Sequence, residues 1–177
     1  FLSLARSKRW NDGSTVVAAL IRNSTLTIAN AGDSKAVLSA ERKAVVMSRE
    51  HNPGLSEEKS RIEKKGGAVI FCRQWRVQAV LSISRAIGNQ KMKEFVTSQP
   101  DVTTRILRPG DDFLILGTDG LWDYVGEQEA VEIACERLKH GLRLEDTAQV
   151  LTDLAFNRGS SDNITALIVD LRSYGRA

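Results

Sequence analysis

The sequence is short of several features that mark particular classes of protein. It has only two cysteines and two histidines, and their positions match no zinc-binding spacing. The longest apolar run, residues 16–21, falls far below the roughly 20 residues that span a bilayer. Aromatic residues make up 6% of the chain, which leaves few rings to stack on bases. We therefore expect free thiols, no zinc site and no membrane segment.

Charge of one sign is also scarce. The chain has 25 Lys and Arg against 22 Asp and Glu, a net charge of +3, and the basic residues are scattered. This pattern does not predict nucleic-acid binding. The sequence has neither an initiator methionine nor a secretory leader, so we expect it to lie within a longer polypeptide. Unpaired thiols then favour a reducing location, the cytoplasm or the nucleus.

Short apolar or β-branched runs, separated by turn residues, predict a series of strands. Their close spacing favours antiparallel pairing, because parallel crossovers need a dozen or more residues. The predicted strands are 15–21, 25–29, 36–38, 44–47, 68–71, 76–83, 102–106, 113–117 and 164–169.

Three helices are predicted between these strands. The first begins at Ser56, which we expect to cap it, and ends at Gly66 and Gly67 with a left-handed exit. Two later helices are amphipathic. Many strands, then a helix pair and one more strand, indicate an α+β sandwich rather than a doubly wound α/β fold. The apolar faces of the helix pair are Ala130, Val131, Ala134 and Leu138 in one, and Leu144, Ala148, Leu151 and Ala155 in the other.

Four aspartates lie at or near the ends of predicted strands. Asp33 and Asp119 each follow a strand, Asp123 comes four residues after Asp119, and Asp162 precedes the last strand. Clustered carboxylates repel one another unless a cation lies between them. Oxygen ligands without Cys or His favour Mg²⁺ or Mn²⁺ over zinc. Each aspartate also fits an ordinary turn, so position alone leaves both interpretations open.

A longer series of motifs decides between them. The chain carries DGSTV (12–16), ANAGDSKAVL (29–38), SREHNP (48–53), RIEKKGG (61–67), SRAIG (84–88), LGTDGLWD (116–123) and RGSSDNIT (158–165). In order and approximate spacing, this series resembles the type 2C metal-dependent serine/threonine protein phosphatases, also called the PPM family. The resemblance extends over residues 12–171, nearly the whole chain.

The resemblance implies a fold and a metal site. The implied fold is a four-layer αββα sandwich, in which two antiparallel sheets pack face to face between helices. Asp119 and Asp162 are then expected to hold the first catalytic ion, directly or through water. Asp33, Asp119 and Asp123 are expected to form a weaker accessory site. The implied cofactors are Mg²⁺ or Mn²⁺, two or more per intact domain, and no catalytic residue beyond the metal ligands is expected here.

The implied activity is hydrolysis of phosphoserine and phosphothreonine on protein substrates in signalling, by water activated at a binuclear site, in a monomer. The family's N-terminal acidic ligand, its phosphate-binding arginine and its Asp-Gly-His-Gly motif are absent from the sequence. We therefore expect residues 1–177 to be the C-terminal portion of a single phosphatase catalytic domain, inactive alone and with an apolar sheet face exposed. The alternatives are a pseudophosphatase, or a truncated form that acts as a protein-interaction scaffold.

Three positions depart from the family pattern. Asn89 stands where aspartate is usual, and Lys35 replaces a common arginine. Ala79 stands where glycine is usual, and it would stiffen its loop if the backbone there has a positive φ.

Overall fold

A computed structural model describes residues 2–174 as a mixed α+β fold, which confirms the predicted class. No helix in this range is long and apolar enough to cross a membrane. The helices are Leu2–Lys8 (α1), Ser56–Glu63 (α2), Asp119–Trp122 (α3), Glu127–Lys139 (α4) and Leu144–Asn157 (α5). The strands are Gly13–Ser14 (β1), Val16–Arg22 (β2), Thr25–Ala31 (β3), Lys35–Ala40 (β4), Lys43–Val46 (β5), Val69–Cys72 (β6), Gln74–Val77 (β7), Ile87–Gly88 (β8), Asp101–Ile106 (β9), Asp111–Gly117 (β10) and Ala166–Asp170 (β11).

The chain forms two compact units. Unit 1 comprises the residues up to 16 together with 29–33 and 50–101. Unit 2 comprises residues 17–28, 34–49 and the chain from 102 onward.

Unit 2 is built around a four-stranded sheet in the order β11-β10-β4-β5, with antiparallel pairing throughout. Successive side chains of a strand point to opposite faces, so the unbroken apolar runs of β4 and β10 bury both faces. Val37, Phe113 and Ile115 face the predicted apolar sides of α4 and α5. Leu38 and Leu114 face the other way.

On that other face, Leu38 and Leu114 pack against Leu26 and Ile28 of β3. Strand β3 is the middle strand of a second sheet, in the order β2-β3-β9. Unit 2 therefore stacks a helix pair, a sheet and a second sheet, which are three of the four layers that the family resemblance implies.

The strands that flank β3 expose apolar side chains. Leu20 is 64% exposed, Val102 61% and Ile106 68%. Large apolar side chains on a sheet are usually covered, and an exposed strip of this kind is prone to association. The expected exposed apolar sheet face is present in β2 and β9.

Unit 1 has a smaller core. Ile62 of α2 packs with Val77, Ala86 and Val96. The helix α2 ends as predicted, with Gly66 at a φ of +81° and the Gly67 N–H bonded to the Ile62 carbonyl. Glycine adopts this left-handed conformation without the steric cost that a Cβ brings.

Two predictions in unit 1 were wrong. Ser56 does not cap α2; Leu55 occupies the cap position without a side-chain bond, and the Ser56 hydroxyl donates to Glu57. The predicted strand 76–83 ends at Val77. Gln78 and Ala79 follow at φ of +52° and +58°, because the chain turns there and the Val77 N–H bonds the Leu81 carbonyl.

Candidate metal centre

Asp119 begins the single helical turn α3, directly after β10. Its Oδ1 accepts a hydrogen bond of 2.9 Å from the Gly120 N–H. Leu121 and Trp122 are buried and anchor the turn in the core beneath the helix pair. A side chain on Gly117 would overlap both of them, so the missing Cβ lets α3 fold back over the end of β10. The Asp119 carboxylate is thus fixed at one edge of the four-stranded sheet.

Asp162 lies in the loop between α5 and β11, at the same edge. Strands β10 and β11 pair antiparallel with Gly117 opposite Ala166, so the end of one strand lies beside the start of the other. The Asp162 Oδ1 accepts a hydrogen bond of 2.6 Å from the Asn163 N–H. Asp162 is exposed and Asp119 is half-buried. One oxygen of each carboxylate is therefore used locally.

Hydrogen bonds join the two aspartate-bearing segments. The Thr118 hydroxyl donates to the Asn163 carbonyl at 3.1 Å and accepts from the Thr165 N–H at 3.1 Å. The Ser160 hydroxyl donates to the Gly120 carbonyl at 2.9 Å. These bonds satisfy backbone groups of irregular chain and hold the two segments in one register.

Gly120 sets how closely the segments approach. A Cβ on this residue would lie 2.5 Å from the Asn163 carbonyl oxygen and 3.4 Å from the Asp162 Cβ. Only a residue without a side chain fits between them. The structure thus brings Asp119 and Asp162 onto touching segments, which the sequence predicted only through the family resemblance.

Asp123 lies one helical turn beyond Asp119. Its N–H bonds the Asp119 carbonyl at 2.9 Å, and its side chain is exposed. Residues four apart in a helical turn share a face, so Asp123 lies on the side of α3 that carries Asp119.

Lys35 has a structural role next to this turn. Its Nζ donates to Glu127 at 2.5 Å and lies 5.8 Å from the centre of the Trp122 ring. The Trp122 indole N–H donates to the Lys35 carbonyl at 3.3 Å. The hydrogen bond from Lys35 lowers the pKa of Glu127. Lys35, which replaces an arginine common in the family, therefore holds α3 and α4 against β4.

Asp33 lies in unit 1, in the bend after β3. The preceding residue, Gly32, has a φ of +128°, and a Cβ there would overlap the Thr15 side chain. The His51 N–H donates to the Gly32 carbonyl at 2.9 Å, and the Gly32 N–H lies 3.1 Å from His51 Nδ1. The backbone before Asp33 is therefore held by a buried histidine.

The contact of His51 with the Gly32 backbone was not predicted from the sequence. The SREHNP motif contains His51, but a histidine without neighbouring ligands in sequence gives no signal of its role. Burial lowers the pKa of His51, an effect that its hydrogen bond to Asp101 only partly offsets. The ring is therefore neutral near pH 7.

The donor chemistry suits Mg²⁺ or Mn²⁺, because carboxylate oxygens are the ligands these hard ions take. Because Gly120 has no side chain, the segments that carry the two carboxylates pack against each other. Within residues 2–174, no three His, Cys, Asp or Glu side chains form a group able to hold a metal ion. The chain thus offers a pair of suitable ligands on touching segments rather than a full set.

Comparisons with known proteins agree on one family. The family model described as protein phosphatase 2C matches residues 2–164. The chain is 43% identical over 160 residues to a probable protein phosphatase 2C, member 13, mitochondrial, of Oryza sativa, covering 90% of this chain and 43% of that protein. It is 40% identical over 172 residues to probable protein phosphatase 2C 76 of Arabidopsis thaliana, covering 97% of this chain and 40% of that protein.

Solved structures give the same result for the fold. A serine-threonine phosphatase 2C from Toxoplasma gondii superposes with a TM-score of 0.85 at 26% identity, over 96% of this chain and 62% of that one. A sex-determining protein of C. elegans superposes with a TM-score of 0.90 at 24% identity, over 97% of this chain and 43% of that one. The chain spans less than half the length of the two plant relatives.

Proposed function

Because the chain belongs to the protein phosphatase 2C family, we propose that it serves as the C-terminal portion of the catalytic domain of a metal-dependent protein serine/threonine phosphatase. The substrates are proteins that carry phosphoserine or phosphothreonine. The observation that supports this most directly is the contact between the segments of Asp119 and Asp162, both within family motifs, at one sheet edge.

The ions in this proposal are Mg²⁺ or Mn²⁺. Asp119 and Asp162 would hold the first ion, Asp123 would join Asp119 at an accessory ion, and Asp33 would be an accessory metal ligand. Such ions, when bound, supply Lewis-acid chemistry that polarises phosphoryl oxygens and lowers the pKa of water. The family resemblance implies further ligands outside these residues, and the chain spans less than half the length of the two plant relatives.

The chain's own residues prepare this site in three ways. Thr118 and Ser160 lock the two segments, so the carboxylates are held before any ligand binds. Gly120 keeps the segments close. The exposure of Asp162 leaves the site open to a protein substrate, whose phosphorylated side chain must approach from solvent. Preorganised ligands of this kind need no rearrangement during the reaction.

The test is hydrolysis of a phosphothreonine peptide by the complete natural protein that contains these residues, with and without Mn²⁺. We expect Mn²⁺-dependent release of phosphate, abolished in Asp119→Asn and Asp162→Asn. The matched control is Asp153→Asn, which changes an exposed aspartate on α5 and should leave the rate unchanged.

Two results would contradict the proposal. One is equal activity in Asp119→Asn and in the control. The other is a folded, Mn²⁺-bound protein that releases no phosphate, which would favour the scaffold alternative.

A further inference from the structure

The bend before Asp33 depends on an unusual backbone position. Gly32 is buried at a φ of +128° and packs against the Thr15 side chain. Both polar groups of its backbone need partners, because burial removes water as an alternative. His51 lies 19 residues further along the chain and supplies partners for both groups.

The hydrogen bonds define the state of the His51 ring. The Gly32 carbonyl already accepts from the His51 backbone N–H at 2.9 Å and from the Asn30 amide at 3.1 Å. The His51 Nδ1 lies 3.1 Å from the Gly32 nitrogen and 3.1 Å from the Gly32 carbonyl oxygen. The carbonyl already has two donors, whereas the buried Gly32 N–H needs an acceptor, so we assign Nδ1 as the acceptor of that N–H. In a neutral ring whose Nδ1 accepts, Nε2 carries the proton. Nε2 faces the Asp101 Oδ2 at 3.1 Å and donates to it.

Asp101 is itself held in place. Its Oδ1 accepts a hydrogen bond of 2.6 Å from Arg85, which also bonds Glu58 at 2.7 Å. Glu58 accepts a further bond of 2.8 Å from Arg61. Burial opposes ionisation of Glu58, but the bonds from Arg85 and Arg61 outweigh it and lower its pKa to about 2. The charged chain Glu58–Arg85–Asp101 therefore leads from α2 to the His51 ring.

We propose that His51 is a positioning residue for Asp33. Its Nδ1 and backbone N–H hold the Gly32 backbone, while Asp101 fixes the tautomer that leaves Nδ1 free to accept. The Asp33 carboxylate is then presented in one orientation to an accessory Mg²⁺ or Mn²⁺ ion. This inference rests on the proposed function, which makes Asp33 a metal ligand.

Two substitutions separate the two sides of the ring. His51→Asn places an amide oxygen near the position of Nδ1 and keeps the bond from the Gly32 N–H. His51→Gln places an amide nitrogen near the position of Nε2, keeps the bond to Asp101 and loses the acceptor for Gly32. We expect His51→Gln to weaken Mn²⁺ binding by about tenfold or more, as removal of an outer-shell partner does. We expect His51→Asn to weaken it much less.

The measurement is Mn²⁺ titration of the complete natural protein, followed by electron paramagnetic resonance, in four forms: wild type, His51→Gln, Asp33→Asn and the double variant. If His51 acts through Asp33, the loss caused by His51→Gln disappears in the Asp33→Asn background. Equal losses in both backgrounds overturn the positioning role while Asp33 stays a ligand. An Asp33→Asn protein with unchanged Mn²⁺ binding overturns both the ligand assignment and the positioning role.

A second measurement needs no substitution. The ¹⁵N spectrum of His51 at pH 7 should show the proton on Nε2, and the Gly32 amide should exchange with solvent only on global unfolding. A proton on Nδ1, or rapid exchange of the Gly32 amide in the folded protein, would contradict the arrangement that the proposal requires.

Discussion

Replacing Gly120 with alanine tests the packing that joins Asp119 to Asp162. The added methyl carbon would lie 2.5 Å from the Asn163 carbonyl oxygen, well inside the 3.3–3.6 Å typical of close carbon–oxygen contacts. The neighbour is backbone, and Ser160 and Thr118 hold the two segments together. The methyl group therefore has no flexible side chain to displace, and the segments must separate.

Overpacking of this kind costs about 1–3 kcal/mol. In a domain of this size, each kcal/mol lowers the thermal midpoint by about 2–4 °C. The assay is thermal unfolding of the complete protein, measured by circular dichroism, for Gly120→Ala and for the control Gly126→Ala. A Cβ on Gly126 meets no atom within 4 Å. Equal midpoints for the two variants would refute the reasoning.

Two other predictions concern unit 1. Ala79→Gly should raise the free energy of unfolding by about 1 kcal/mol, because Ala79 and Gln78 occupy the left-handed region that glycine adopts at little cost; a lower value in urea unfolding would contradict this. Burial raises the pKa of Glu58, but the hydrogen bonds from Arg85 and Arg61 outweigh it and lower the pKa from 4.5 to about 2. Ionised Glu58 therefore contributes about 3 kcal/mol to the free energy of unfolding above pH 4.5, and this contribution is lost as the pH falls towards 2. Wild type should lose stability more steeply than Glu58→Gln between pH 5 and pH 2, and parallel curves would contradict the assignment.

The strands and helices of unit 2 could be predicted from apolar runs and from helical spacing, whereas their stacking in layers was implied by the family resemblance. The apolar run that contains Leu114 predicted β10, and the helical spacing of residues such as Leu151 and Ala155 predicted the apolar faces of the helix pair. These residues are buried in the structure. Helix caps and turns were predicted less reliably. Ser56 has the right chemistry for a cap, but the helix begins one residue earlier than that role requires. Ala79 adopts a left-handed backbone conformation, although alanine has no preference for it.

The candidate site also has a part that local sequence predicts and a part that depends on long-range contacts. The spacing of Asp119 and Asp123 within one motif predicts their common turn. Contact between the Asp119 and Asp162 segments depends on the pairing of β10 with β11, which connects parts of the chain more than 40 residues apart. No local pattern contains that information, and only the family resemblance suggested it. The role of His51 depends on a similar long-range contact, with Gly32.

The proposed metal site requires that Asp119 and Asp162 together hold one hard divalent ion. The most direct measurement is Mn²⁺ affinity of the complete protein in Asp119→Asn, Asp162→Asn and the double variant, with Asp153→Asn as control. We predict that each single substitution weakens binding, that the control does not, and that the double variant is little weaker than either single one because both carboxylates bind the same ion. Unchanged affinity in both single variants, or strictly additive losses, would contradict a shared metal site.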